Sequence, residues 1–450
     1  MTAVLNRLTA DDDLFLKLHD LYGNALVNQL AWRFDDPLDP AVLQRFHAHL
    51  ARGFLARRVM TTAVPFARPW WVAAEHSEPL AYQYETVPEI GVLDWFFAQS
   101  RVEFDPIAGR VWRLSAAPTT AGGTLLSLVT SHVSSDGGAV LYAVGDALRR
   151  LDSGLAPDTA TSSGRLVGSL PTTGLLCTHL ADGLGQLRAA ASSLRAAFES
   201  RGVTEPERNP RPEEPRRLLP DTYSAADIVV EVDAAEWNSV AAAHDGTANG
   251  LLVGVAVGIL GRSGRVADGA SARVDIPHSM RGHDDPRGNA TTGLPIAVPY
   301  RKGERTDLRH IRTAIKQAAL AYADPATTPA LQHLQPIQQM LPKFVLGYFS
   351  RTAKAPECLC TNLGETGQGV ATIAGVRARS VLMRPVVCTG ETELFRRVEI
   401  GLNLSWSSDG ETVTLAITGA DPDRFPTRAA LRDYVTDEFE SWGLRPRFWS

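Results

Sequence analysis

The chain has 450 residues, 44% hydrophobic and 21% charged, with a formal net charge of −5. That is material for one large or two ordinary domains. No global basic field is present to recruit nucleic acid or anionic lipid, so nucleic acid is not an expected partner.

The first residues, MTAVLNRLTADDD, lack the charged start and apolar stretch of a signal peptide. The longest apolar run, Gly250 to Leu260, is too short to span a bilayer. A soluble, cytoplasmic protein is expected. After a short helical DLFLKLHDLY, the segment NALVNQLAWRFD puts Leu26, Leu30, Trp32 and Phe34 on the alternate positions of a strand. The helix that follows carries Val42, Leu43, Phe46 and Leu50 at helical spacing, with Asp39 as its cap and Pro40 at its first position.

GRVWRLSAAPTTAGGTLLSLVTSH then reads as two strands joined by a turn, the second running straight into His132. In GGAVLYAVGDALRRL, Val140, Leu141, Val144, Leu148 and Leu151 share a helix face, so HVSSDG occupies a strand-to-helix turn. From Asp152 the chain offers one Ala/Leu helix and a polar run, RGVTEPERNPRPEEPRR, too rich in Pro and charge to bury. A second strand and helix alternation begins after Tyr223 and ends in a helix from Arg428 to Trp442. The expected domains are 1–155, a helix and linker over 156–222, and 223–450.

An imidazole fixed at the mouth of a strand is suited to take a proton from a hydroxyl or amine near neutral pH. Asp136, beyond a turn, points elsewhere and is better placed to bind a cation behind the site. Gly137 and Gly138 allow close backbone approach. The bland alternative is a structural histidine. Cys177, Cys358, Cys360 and Cys388 form no zinc spacing and are read as reduced thiols, with no metal site expected. No G-x-S-x-G and no phosphate loop is present, which leaves serine hydrolase and nucleotide-dependent readings without support.

SHVSSDGG resembles the HHxxxDG signature of the thioester-dependent acyltransferase superfamily, which includes chloramphenicol acetyltransferase, peptide-synthetase condensation domains and wax ester synthase/diacylglycerol acyltransferases. His132, Asp136 and Gly137 match the second histidine, the aspartate and the glycine, and Ser131 replaces the first histidine. LTADDDLFL, FDPIAGRVWRL, TANGLLVGVAVGIL and VDIPHSMRGHDDPRGN are similar to further segments of the wax-synthase group in the same order. CTNLGETG resembles its Asn-Val-Pro-Gly segment but lacks the proline.

The resemblance implies an α/β (α+β) chain of two chloramphenicol acetyltransferase-like domains, a pseudo-dimer with a tunnel between them. His132 would be the general base for acyl transfer from acyl-CoA or an acyl or peptidyl carrier protein to a hydroxyl or amine. No cofactor is implied beyond the donor's own pantetheine arm. Asp136 would pair with an arginine of the second domain, for which Arg281 stands in the matching segment. Ser131, Thr361, Asn362 and Trp112 are weaker candidates for substrate contact, Trp70, Trp71 and Trp112 being aromatic core by default. Arg216 and Arg217 are candidates to meet an acidic carrier protein. The rival readings are a degenerate condensation-like module that recruits a carrier or partner, and a fold-mate doing non-acyl chemistry.

Overall fold

The computed structural model describes residues 6–23, 26–157, 175–199, 217–282, 285–323, 333–352, 355–387 and 390–450. Cys388, Arg216 and most of the linker lie outside them. Two mixed sheets organise the chain. In the first, β1 (Leu26–Phe34), β2 (Ala81–Tyr82), β3 (Trp112–Pro118) and β4 (Thr124–Ser131) are joined by a strand from late in the sequence. The second sheet holds β5 (Ala226–Asp233), β6 (Ser271–Ser279), β7 (Thr291–Pro299), β8 (Cys358–Asn362), β10 (Leu402–Ser408), β11 (Thr412–Gly419) and β12 (Arg447–Phe448). The late strand is β9 (Ser380–Val387), so the orders are β9-β1-β4-β3-β2 and β7-β6-β8-β10-β11-β5-β12.

Each sheet is covered by the helices that its own sequence segments supply. Helix α1 (Ala10–Tyr22) opens with a capping box between Thr9 and Asp12. Helix α2 (Pro40–Leu50) starts at Asp39, whose side chain accepts from the Ala41 amide, with Pro40 at the first position. Helix α3 (Val92–Ser100) and helix α4 (Gly137–Asp152) complete the first half. Helix α5 (Leu175–Glu199) is the Ala/Leu helix, on which Cys177 is exposed. In the second half α6 (Ala234–Ala243), α7 (Ala248–Arg262), α8 (Leu308–Ala323) and α9 (Arg428–Trp442) pack on the sheet. The apolar helix α7 is buried all round, and Gly258 and Gly261 leave room for Glu438 and the Tyr300 ring, where a β-carbon would fall 2.0 Å and 2.1 Å from them.

The strand pattern read from β1 covers only one of its faces. Val27, Gln29, Ala31 and Arg33, on the other face, are buried as well, because that face meets α3 and the second sheet. Strand β9, SVLMRPVV, carries an arginine and a proline and so does not read as a strand. It sits at the edge of the first sheet, antiparallel to β1 with Arg384 opposite Gln29, and an edge strand tolerates Pro385. A segment of the second half in sequence therefore belongs to the first sheet in space.

Between the halves, the Arg384 guanidinium donates to Gln29 Oε1 at 2.8 Å and 3.0 Å and stands 3.6 Å from Asp227 Oδ2. Gln29 in turn donates to Phe96 O and Ser127 Oγ. Burial pushes Asp227 up, and Arg384 opposes that shift. Removal of the guanidinium leaves a buried carboxylate and amide without it. Arg384→Ala is expected to lower unfolding free energy by about 3 to 5 kcal/mol in urea titration. A loss below about 1 kcal/mol would show that the network does not join the halves.

Candidate active site

His132 stands where β4 ends. The three serines around it hold the turn: Ser131 Oγ accepts from the Val133 amide at 3.3 Å, Ser134 Oγ donates to Ser131 O at 2.9 Å, and Ser135 Oγ donates to Thr130 Oγ1 at 2.8 Å. Asn28 Nδ2 on β1 donates to Ser135 O at 2.7 Å. Ser131 is thus a turn residue and a wall of the space beside His132. The cavity there is ≈ 50 Å³ and is lined by Phe15, Leu18, His19, Leu26, Ser131, His132 and Val133. The Phe15 ring lies 4.1 Å from the imidazole, centroid to centroid.

The imidazole is bonded on one nitrogen. His132 Nδ1 is 3.1 Å from Asn289 Oδ1 and also reaches its own carbonyl. Asn289 Nδ2 donates to Asp12 Oδ1 at 2.8 Å and to His132 O at 2.9 Å, so its amide oxygen is the atom turned to Nδ1. An oxygen only accepts, and Nδ1 therefore carries the proton. Among the described residues Nε2 has no hydrogen-bond partner and keeps its lone pair. Burial lowers the His132 pKa, and Asp136, Asn289 and Asp12 oppose the shift.

Asp136 begins α4. Its Oδ1 accepts from the Ala139 amide at 2.8 Å, as an N-cap, and from Arg281 Nη2 at 2.8 Å. Its Oδ2 accepts from the Ala290 amide at 2.7 Å and from Thr291 Oγ1 at 3.0 Å. Arg281 also donates to the carbonyls of Asp285, Arg287 and Gly288, gathering the loop ahead of Asn289. Gly137 and Gly138 admit the second half: a β-carbon would lie 3.0 Å from Leu363 Cδ2 and 3.2 Å from Arg281 Nε respectively.

His132, Ser131, Asp136, Gly137 and Arg281 therefore converge. Thr361 and Asn362 end β8, and the Asn362 side chain accepts from the Gly364 amide at 2.7 Å; among the described residues neither bonds to His132. Trp112, a weaker candidate for substrate contact, takes its default place in the core: it is 3% exposed, within the first-half cluster, its ring tilted against His47. Trp70 and Trp71 are buried too. The Arg217 backbone is tied to Asp423 and Arg396. Cys358 and Cys360 are buried thiols 3.6 Å apart, which the strand periodicity of C-x-C explains. Among the described residues no cluster suited to a metal occurs.

Sequence reasoning missed Asp12 and Asn289. Asp12 stood in LTADDDLFL and Asn289 at the end of VDIPHSMRGHDDPRGN, segments read for their likeness to the family with no role given to either residue.

The fold is of condensation-domain architecture. Compared with solved structures, the chain is similar to the first condensation domain of the CDA synthetase, at 16% identity and a TM-score of 0.60, over 98% of this chain and 97% of that one. It is likewise similar to a variant starter condensation domain of rhizomide synthetase in complex with C8-CoA, at 12% identity, TM-score 0.58, over 98% and 94%. A third is polyketide synthase associated protein 5 from Mycobacterium tuberculosis, at 11% identity, TM-score 0.53, over 97% and 98%. No family model and no curated protein matches the sequence. The likeness over nearly the whole length establishes the two-sheet condensation fold. Among the described residues no helix is long and apolar enough to cross a membrane.

Asp136 is 4% exposed and accepts four bonds. Its loss strands the Arg281 charge. Asp136→Ala is expected to cost about 3 to 5 kcal/mol of stability, read by chemical denaturation. An unchanged midpoint would mean that the pair does not bind the halves.

Proposed function

We propose that the protein is an acyltransferase that moves an acyl group from a thioester donor, on coenzyme A or a carrier protein, to a hydroxyl or amine. The observation that carries this reading is the imidazole of His132, held by Nδ1 with Nε2 unoccupied at the junction of the two halves. The complex of one structural relative with C8-CoA supports a thioester as the donor.

In this reading Nε2 takes the proton of the acceptor as its oxygen or nitrogen attacks the thioester carbonyl. The tetrahedral intermediate collapses, the carbon–sulfur bond breaks, and the imidazolium returns its proton to the leaving thiolate. One ester or amide forms, one thiol is released, and the histidine is restored. General-base assistance of this kind is worth about 100-fold to 10,000-fold. Orientation of the two substrates supplies a further large share. Asp136 and Arg281 serve the site structurally, and Gly137 lets the second half close on it.

His132→Ala is expected to cut turnover by at least about 100-fold with the melting temperature kept. Mass spectrometry of products from acyl-CoA and carrier-loaded donors, offered with a panel of alcohols and amines, is the assay. Near-native turnover in that variant would remove His132 as base and favour a recruiting module. Because burial lowers its pKa, His132 stays neutral, and competent, below the ordinary value of about 6.5. The acid limb of kcat/KM is expected below that pH, and a limb above it would contradict the assignment.

A further inference from the structure

We propose that Asp12 is a positioning residue for His132, acting through Asn289 to fix the tautomer of the base. The proposal rests on the reading of His132 as that base. Asp12 touches neither nitrogen of the imidazole; its hold on the tautomer passes through one amide, while its charge also acts on the ring through space.

An amide side chain can present either oxygen or nitrogen to a neighbour, and only its other contacts decide which. Asp12 Oδ1 accepts from the Asn289 backbone amide and from Asn289 Nδ2, both at 2.8 Å. A carboxylate only accepts, so the nitrogen of Asn289 is drawn to Asp12 and the oxygen is left facing His132 Nδ1 at 3.1 Å. With the amide turned over, its nitrogen would face Nδ1 as a donor and work against the proton that the ring's own carbonyl favours there; a proton displaced to Nε2 would make the free nitrogen a donor instead of a base.

Asp12 is itself held against rotation. Its Oδ2 accepts from the Thr9 amide at 3.1 Å and from Trp71 Nε1 at 3.2 Å. Its charge is balanced by Arg57, whose guanidinium lies 4.1 Å and 4.3 Å from the Phe54 and Trp71 ring centroids. Gly288 makes the approach possible, since a β-carbon there would lie 2.8 Å from Asp12 Oδ1 and 2.8 Å from Ser134 O. Asparagine at position 12 cannot reproduce this set. Its NH₂ would face either the two donors Thr9 N and Trp71 Nε1 or the donors of Asn289.

The charged and titratable groups around His132 are Asp11, Asp12 and His19 of α1, Asp136 at the start of α4, and Arg281 and Arg57 behind them. Asp11 is pushed up to about 6 by burial and by Asp12 and Asp136, so an activity profile carries its titration as well. A probe on the His132 ring itself separates the two.

The experiment is nitrogen-15 NMR of the imidazole of His132 in the full chain, for the native protein, Asp12→Asn and Asn289→Ala, with melting temperature and steady-state kinetics on the same samples. The native ring is expected to carry its proton on Nδ1. Both variants should move protons to Nε2 and titrate at lower pH, with kcat down about 10-fold or more and KM little changed. The double variant should be no worse than the poorer single one, since both act along one path. A folded variant with native tautomer and native titration overturns the proposal, and Asn289→Ala decides it if Asp12→Asn does not fold. A tautomer change in a background where His132→Ala still turns over would keep the positioning and overturn the base.

Discussion

One carboxylate, that of Asp136, ties together everything the site needs. It is buried, and burying a carboxylate costs several kcal/mol unless its lone pairs are filled. They are filled from three pieces of chain: the first turn of α4, the Arg281 guanidinium, and the start of β7 at Ala290 and Thr291. Two of the three belong to the second half. The position of α4 against the second sheet is therefore set by a polar contact with little tolerance. An apolar contact would slide where this one cannot.

That constraint reaches the imidazole by a short route. Arg281 donates from Nη1 to the carbonyls of residues 285 and 287 and from Nη2 to that of residue 288, and the Asp136 amide donates to Gly288 O. The next residue is Asn289. The residue that holds His132 is thus delivered from the second half by the ion pair under the turn, and its amide is then oriented by Asp12 from the first helix. Three segments distant in sequence meet at one ring. Away from the site the same logic recurs at Gln29, Arg384 and Asp227, where β9 crosses to the first sheet and a mixed apolar cluster of both halves closes around it.

The elements with a clear period were legible: the helix from Arg428 to Trp442, the capped helix after Asp39, and the strand into His132 with the helix after it all stand where the sequence puts them. The turn bearing HVSSDG follows from that pattern. Strand β9 was not legible, because Arg384 and Pro385 are admitted by an edge position and an interface that only the assembled halves create. Trp112 stands in the core, as the default reading of an aromatic near a motif has it. Asp12 and Asn289 lie in segments with a family likeness that attaches no role to either. Their meaning lies in which atom faces which, and that appears only when segments some 277 residues apart are brought together.

The balance of forces on His132 explains why such support sits at one remove. Burial alone makes an imidazole a poor base, since the imidazolium it must form would be unsolvated. A carboxylate bonded directly to Nδ1 would correct this and would also raise the pKa, so that more of the ring is protonated and idle near neutral pH. Here the neighbour on Nδ1 is a neutral amide, while the charges of Asp12 and Asp136 act through space. They reduce the cost of the imidazolium without cancelling the effect of burial, so the net shift of the ring is downward. In the proposed reading these charges lessen the cost of the imidazolium that forms when His132 takes the proton of an alcohol or amine. One amide stands between the ring and the Asp12 carboxylate.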